Sequence, residues 1–186
     1  MHSETDSFMG LKMLIKKDNL CIRNASDSDC GQLAAWWNDG AVMAHAGFPL
    51  GLCTSADKIK AEIAADSDDT RRRLIITCDD KAIGEMSFSN LGDSVAEIGI
   101  KICDTSYQEK GLGRKILSML ISELFSRGYS KIILDTNLKN TRAQHVYEML
   151  GFTKIRVNVD SWKNQLGELQ SSVDYFLTPD NFINFS

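Results

Sequence analysis

Apolar residues along this chain follow two rhythms. Alternation with a period of two, in short runs rich in β-branched residues, predicts strands at 20–24 (LCIRN), 73–78 (RLIITC), 82–90 (AIGEMSFSN), 94–102 (SVAEIGIKI) and 131–137 (KIILDTN). Between 111 and 127 the rhythm turns helical: Leu112, Ile116, Leu120 and Leu124 recur at helical spacing, and Gly128 stands where a terminator belongs. A second helix is predicted from Asn140, a good N-cap, with Ala143, Val146, Tyr147 and Leu150 along one face and Gly151 at its end. Upstream, Asp27 or Ser28 caps a helix to about Asn38, and Thr54 or Ser55 caps one to Ala65. Beyond Gly151 the chain returns to alternation in FTKIRVNV and VDYFLT. Strands both precede and follow the helices, and no repeat or low-complexity tract interrupts them, so the order predicts an α+β fold with a mixed sheet.

A length of 186 residues suits one domain, 1–186, with residues 1–10 expected to be flexible. The fractions of 43% hydrophobic and 25% charged residues support a packed globular fold over wholesale disorder. No apolar run approaches the roughly 20 residues that cross a bilayer. The beginning, MHSETDSFMG, lacks the basic and apolar regions of a secretory signal, so a cytoplasmic, membrane-free protein is expected. Five cysteines without close pairing predict free thiols and no metal site. A net charge of −4 argues against a nucleic-acid partner and mildly suits a cationic substrate.

The chemistry concentrates in Gln108-Glu109-Lys110-Gly111-Leu112-Gly113-Arg114, which follows a strand and opens the clearest helix. Amides at a helix start are unpaired, the helix dipole adds positive potential, and absent side chains let an anion approach. Lys110, Arg114 and Lys115 add charge for phosphate oxygens. A dinucleotide fingerprint requires a small residue where Ile116 stands, and the Gly-Lys-Ser/Thr ending of a P-loop is missing.

With these residues in view, the sequence resembles the GNAT superfamily of N-acetyltransferases, whose signature Q/R-x-x-G-x-G/A is matched by Gln108, Gly111 and Gly113. Downstream, Asn140-Thr141-Arg142-Ala143 leading to Tyr147-Glu148-Met149-Leu150-Gly151-Phe152 looks like the family's next helix and its terminal Gly-Phe. The segment Ala35-Trp36-Trp37-Asn38-Asp39 is similar to the branch resembling ribosomal-protein alanine acetyltransferases. The connection CDTSY before Gln108 is longer than the proline-containing turn of many members, which displaces the strand alignment there. The resemblance implies a largely antiparallel sheet flanked by helices, in which 94–102 and 131–137 form a splayed parallel pair with acetyl-CoA, the acyl donor, in the opening. It further implies that backbone groups near Ile100 and Ile102 meet the pantetheine amides. Gln108, Lys110, Gly111, Leu112, Gly113 and Arg114 would surround the phosphates, and Asn140 would touch the cofactor as well as cap its helix.

Acyl transfer from a thioester to an amine needs an unprotonated amine, a stabilised oxyanion and a proton for the departing sulfur. Family members often carry tyrosine at the position of Tyr147, which is the expected acid; the alternative is that it packs against Ala143 and Leu150. Glu97, pointing opposite to Ile98, Ile100 and Ile102, is the expected proton acceptor or else a solvated strand residue. His145 is expected to be exposed and His45 to stand near the acceptor. Cys103 invites an acyl-cysteine route, but no partner base is identifiable and direct transfer is preferred. Trp36, Trp37, Phe48 and Trp162 either wall an acceptor site or fill the core, and Asp66, Asp68 and Asp69 read as a solvated loop. The expected acceptor is a primary amine of a small molecule or a protein N-terminus, acted on by a monomer or homodimer. The competing reading is a noncatalytic CoA-sensing or partner-binding module.

Overall fold

A computed structural model describes residues 12–186; the stretch expected to be flexible, 1–10, lies outside them. Thirteen elements follow one another: β1 (Leu14–Lys17), β2 (Leu20–Asn24), α1 (Cys30–Asn38), α2 (Gly40–Met43), α3 (Ala56–Ala64), β3 (Arg71–Cys78), β4 (Lys81–Asn90), β5 (Val95–Ile102), α4 (Leu112–Ser126), β6 (Lys131–Asn137), α5 (Thr141–Met149), β7 (Thr153–Lys163) and β8 (Leu169–Leu177). Short 3₁₀ turns fill several of the gaps. The strands form one eight-stranded sheet in the order β1-β2-β3-β4-β5-β6-β8-β7. Every neighbouring pair is antiparallel except β5 and β6.

Alternation along each strand sends one set of side chains to each face. Leu74, Ile76, Phe88, Ala96, Ile98, Ile132, Leu134 and Tyr175 bury one face beneath α4 and α5. Leu117, Leu120, Ile121 and Leu124 of α4 are sealed there, each contributing about 1.5–3 kcal/mol through burial. The other face carries Ile75 and Cys103 against Leu33 and Trp36 of α1 and Ile59 of α3. The helix ends follow their capping residues. Ser55 Oγ accepts from the Lys58 N–H (3.3 Å) and Asn140 Oδ1 from the Ala143 N–H (3.3 Å). Gly128 and Gly151 take left-handed φ values of 95° and 93° just past α4 and α5.

Three expectations need correction. The entry to α1 is built one residue earlier, on Ser26, whose N–H and hydroxyl both donate to the Asp29 carboxylate at 2.8 Å while Arg23 grips the same group. Asp66 and Asp68 are not a solvated loop: Asp66 pairs with Arg73 (2.6 Å), and Asp68 is shared by Arg72 (2.6 Å) and Arg127 (3.1 Å). Ser94 sits at a turn with φ 59°, so its strand starts at Val95.

Candidate active site

The sheet opens where the resemblance implies it should. β5 and β6 pair only through Val95–Glu97 against Lys131–Ile133. Past those three residues each strand keeps its outer neighbour, β5 holding β4 as far as Ile102 and β6 holding β8 as far as Asn137. The inner edges therefore diverge and leave backbone groups without a ladder partner.

One end of this opening is a rigid turn. After Ile102, Asp104 caps the turn at Thr105–Tyr107 by accepting from the Ser106 N–H (2.9 Å), and Lys81 pairs with the same carboxylate at 2.8 Å. Those hydrogen bonds hold the half-buried Asp104 carboxyl down at about 2. Gln108 then reaches backwards. Its Nε2 donates to the Ile102 carbonyl (2.9 Å), and its Oε1 accepts from Arg142 Nη2 (3.2 Å), whose Nη1 donates to Glu109 (2.9 Å). The signature glutamine is thus a strut joining the end of β5 to the start of α5, and it occupies one lone pair of the Ile102 carbonyl. Glu109 and Gly111, with φ of 60° and 73°, swing the chain into α4, a conformation that suits Gly111 because it lacks a Cβ. A Cβ on Gly113 would stand 3.9 Å from Ile102 Cδ1, so the helix start lies beside the strand end.

Around this turn Lys110 Nζ rides over the Tyr107 ring (5.6 Å) and the Arg114 guanidinium over Phe185 (4.9 Å). Neither cation has a carboxylate partner among the described residues. Lys115, by contrast, is paired with Asp18 at 2.6 Å. First-turn amides, a left-handed glycine, a second glycine at the strand and two uncommitted cations form a donor set that fits a phosphate chain. Asn140 spends its side chain on the cap and on Thr136 Oγ1 (3.5 Å).

Tyr147 lies under β6 and β8, 7% exposed, with its ring edge-on to Phe152 and Tyr175 at 5.8 Å from each. Its hydroxyl has no hydrogen-bond partner among the described residues. There, Arg73 Nε is the single side-chain atom both sealed and unpartnered, so the Tyr147 oxygen keeps an accessible face. Burial, with the charge of Asp135 adding to it, pushes the phenol up to about 12, and it stays protonated at neutral pH.

Two carboxylates flank the opening. Glu97 is exposed on the last paired residue of β5, on the face opposite to Ile98. Asp135, two residues past the fork on β6, was not singled out by the sequence. It stands directly across from Asp174, and desolvation together with that neighbour raises its carboxyl above the usual range. The signal available in KIILDTN was an acid breaking the apolar run of a central strand.

On this same sheet face a cleft of about 480 Å³ runs over β3–β5. Cross-strand pairing lays its floor in rows: Arg71, Ser89 and Glu97; then Arg73, Ser87 and Gly99; then Ile75, Glu85 and Lys101. Trp37, Met43, Phe48 and Leu52 form the apolar wall. Glu85 is fixed by Trp37 Nε1 (2.8 Å) and Lys101 Nζ (3.1 Å). The four aromatics divide accordingly. Trp37 and Phe48 line the cleft, whereas Trp36 belongs to the core. Trp162 braces the loop from behind: a Cβ on Gly47 would strike its ring at 2.4 Å, and Gln165 clasps the same loop through Gly47 O, the Leu50 N–H and Gly51 O. His45 and His145 are both exposed. Cys103 is buried, and its thiol is pushed up to about 12 by desolvation, which withholds the thiolate an acyl-cysteine route needs. All five cysteines are free.

Comparison with known proteins agrees with this geometry. A family model described as an acetyltransferase (GNAT) domain matches residues 19–153, and the chain belongs to that family. The ribosomal protein bS18-alanine N-acetyltransferase of Escherichia coli K12 is 41% identical over 54 residues, covering 29% of this chain and 36% of that protein. That of Haemophilus ducreyi is 31% identical over 70 residues, 38% of this chain and 48% of its own length. The match thus spans about half or less of these curated relatives. Among solved structures, a spermidine N-acetyltransferase from Vibrio cholerae in complex with CoA and spermine superposes with a TM-score of 0.79 at 21% identity, covering 90% of this chain and all of the other. A ribosomal alpha-N-protein acetyltransferase in complex with coenzyme A gives 0.79 at 18% identity, over 91% and 99%. These likenesses establish the fold. No helix among the described residues is long and apolar enough to cross a membrane.

Proposed function

We propose that this protein is an acyl-CoA-dependent N-acyltransferase that moves an acetyl group from acetyl-CoA directly to a primary amine of a small molecule or protein N-terminus, in the cytoplasm. The observation that carries this reading is the fork between β5 and β6, with a glycine turn and free cations beyond the end of β5 and a protonated, unpartnered phenol packed on Tyr175, which pairs with Leu134 of β6. First-turn amides of α4 with Lys110, Gly111, Leu112, Gly113 and Arg114 hold the phosphates, Gln108 and Asn140 fix the two ends of the site, and the free edge of β5 around Ile100 and Ile102 meets the amides of the pantetheine arm. Bound there, acetyl-CoA supplies an activated carbonyl.

The remaining work falls to the chain. Tyr147 gives its proton to the departing sulfur, for which a phenol held in its acid form is suited. The amine's proton goes to a carboxylate at the fork, Glu97 or Asp135. Asp135 has in its favour a raised affinity for protons, which brings a carboxylate closer to the working pH of a base. Holding both reactants in one fork supplies much of the acceleration. The test is thiol release from acetyl-CoA across a panel of amines and peptides. Binding of acetyl-CoA without release on any acceptor would leave a sensor in place of an enzyme. Glu97→Gln and Asp135→Asn, made separately, identify the base: its loss abolishes the acid limb of the kcat/KM profile.

A further inference from the structure

The charges lining the acceptor cleft pair off until one is left. Arg73 is held by Glu62 (2.8 Å) and Asp66 (2.6 Å), and Lys101 by Glu85 (3.1 Å). Arg71, at the head of β3, lines the same cleft and has no hydrogen-bond or ion-pair partner for its guanidinium among the described residues. It is exposed, and through Ser89 it stands in one cross-strand row with Glu97 at the fork. Two strand spacings separate that pair, about 10 Å. Between them the floor is the hydroxyl of Ser89, with Ser87 and Gly99 in the next row. A Cβ on Gly99 would come within 3.4 Å of Ser87 Oγ, so this floor stays low.

We infer that the acceptor is an amine that also carries a carboxylate, and that Arg71 receives the carboxylate while the amine lies at the fork. The proposal rests on the transferase reading for which end reacts. Arginine offers a planar pair of N–H donors matched to a carboxylate, and the span to Glu97 corresponds to two to three residue lengths of extended chain. An amino acid whose amine and carboxylate stand that far apart, or the start of an acidic peptide, meets that condition. A polyamine does not, because a distal cation would lie against the unpaired guanidinium of Arg71. The one lining cation left without a carboxylate thus sets the local preference, against the reading drawn from the net charge of −4.

The test uses matched pairs that differ only in the carboxylate: peptides beginning Ala-Asp or Ala-Asn, and 6-aminohexanoate or its carboxamide, with spermidine as a cationic control. Thiol release should give a KM roughly tenfold lower for the carboxylate member of at least one pair, and Arg71→Gln should collapse that ratio towards one. Which pair responds separates a peptide from a small-molecule acceptor. Calorimetry on the CoA-saturated protein supplies a readout independent of turnover, in which the same carboxylate probe binds about tenfold more weakly to the variant. Turnover with equal KM within both pairs, or a preference for spermidine, overturns the inference and leaves the transferase intact. Arg71-dependent binding without thiol release on any probe does the reverse. Since the Arg71 side chain makes no contact that holds the fold, the variant remains folded.

Discussion

At Tyr147 a single oxygen separates chemistry from packing. The ring is wedged between Phe152 and Tyr175, so Tyr147→Phe keeps those contacts and removes the one group without a partner. Turnover should fall by about 10²-fold while calorimetry shows the same affinity for acetyl-CoA. Unchanged turnover, with chemistry limiting, would strip the residue of its role. Because folding raises this phenol from 10.0 to about 12, its contribution to stability is complete below pH 10 and is lost as the pH climbs through the raised value. Asp135 carries the opposite burden. Its carboxyl is also raised, so its favourable contribution exists only at acid pH, and at neutral pH the ionised form faces Asp174 at a cost. Asp135→Asn should therefore raise the melting temperature at pH 7 even as it lowers turnover. A lower melting temperature would show that the charge is not strained.

Glycines at the ends of two helices predict different failures. Gly151 follows α5, and a Cβ there would lie 1.8 Å from the Asn181 carbonyl, so Gly151→Ala must displace the backbone of the C-terminal segment and should cost at least about 2 kcal/mol in a melt. Gly111 has open space around it, its nearest neighbour being Arg114 Nη2 at 3.9 Å. Gly111→Ala pays only for its left-handed backbone, about 1–2 kcal/mol, and its larger effect should be on cofactor affinity. Both helices were legible in the sequence because leucine spacing, an asparagine cap and closing glycines agree with one another. β1 and α2 were not, since four residues carry no period. Trp36 and Trp37 are adjacent on α1, about 100° apart around its axis, and only tertiary packing decides that one enters the core and the other the cleft. Asp66 and Asp68 read as solvated because Arg72, Arg73 and Arg127 reach them from β3 and from the far end of α4. Asp135 escaped notice for the same reason: its opposition to Asp174 is a matter of register between β6 and β8.

For the molecule as a whole, binding at the fork should register as stability. A ligand at 100 times its dissociation constant adds about 2.7 kcal/mol to a folded state that alone binds it. In a chain of this size that lifts the melting temperature by roughly 5–11 °C. Acetyl-CoA should do this and Lys110→Ala combined with Arg114→Ala should blunt it; no shift for the parent protein would count against the cofactor assignment. The three rungs joining β5 to β6 set a further consequence. Five strands on one side and three on the other are riveted at a single short joint, so the protein is two slabs sharing a spine that frays towards the helix starts. An acyl-CoA arm laid into that fray would act as a missing strand, and deuterium uptake along Ile98–Ile102 and Leu134–Asn137 should slow on loading while the outer hairpins stay as they were.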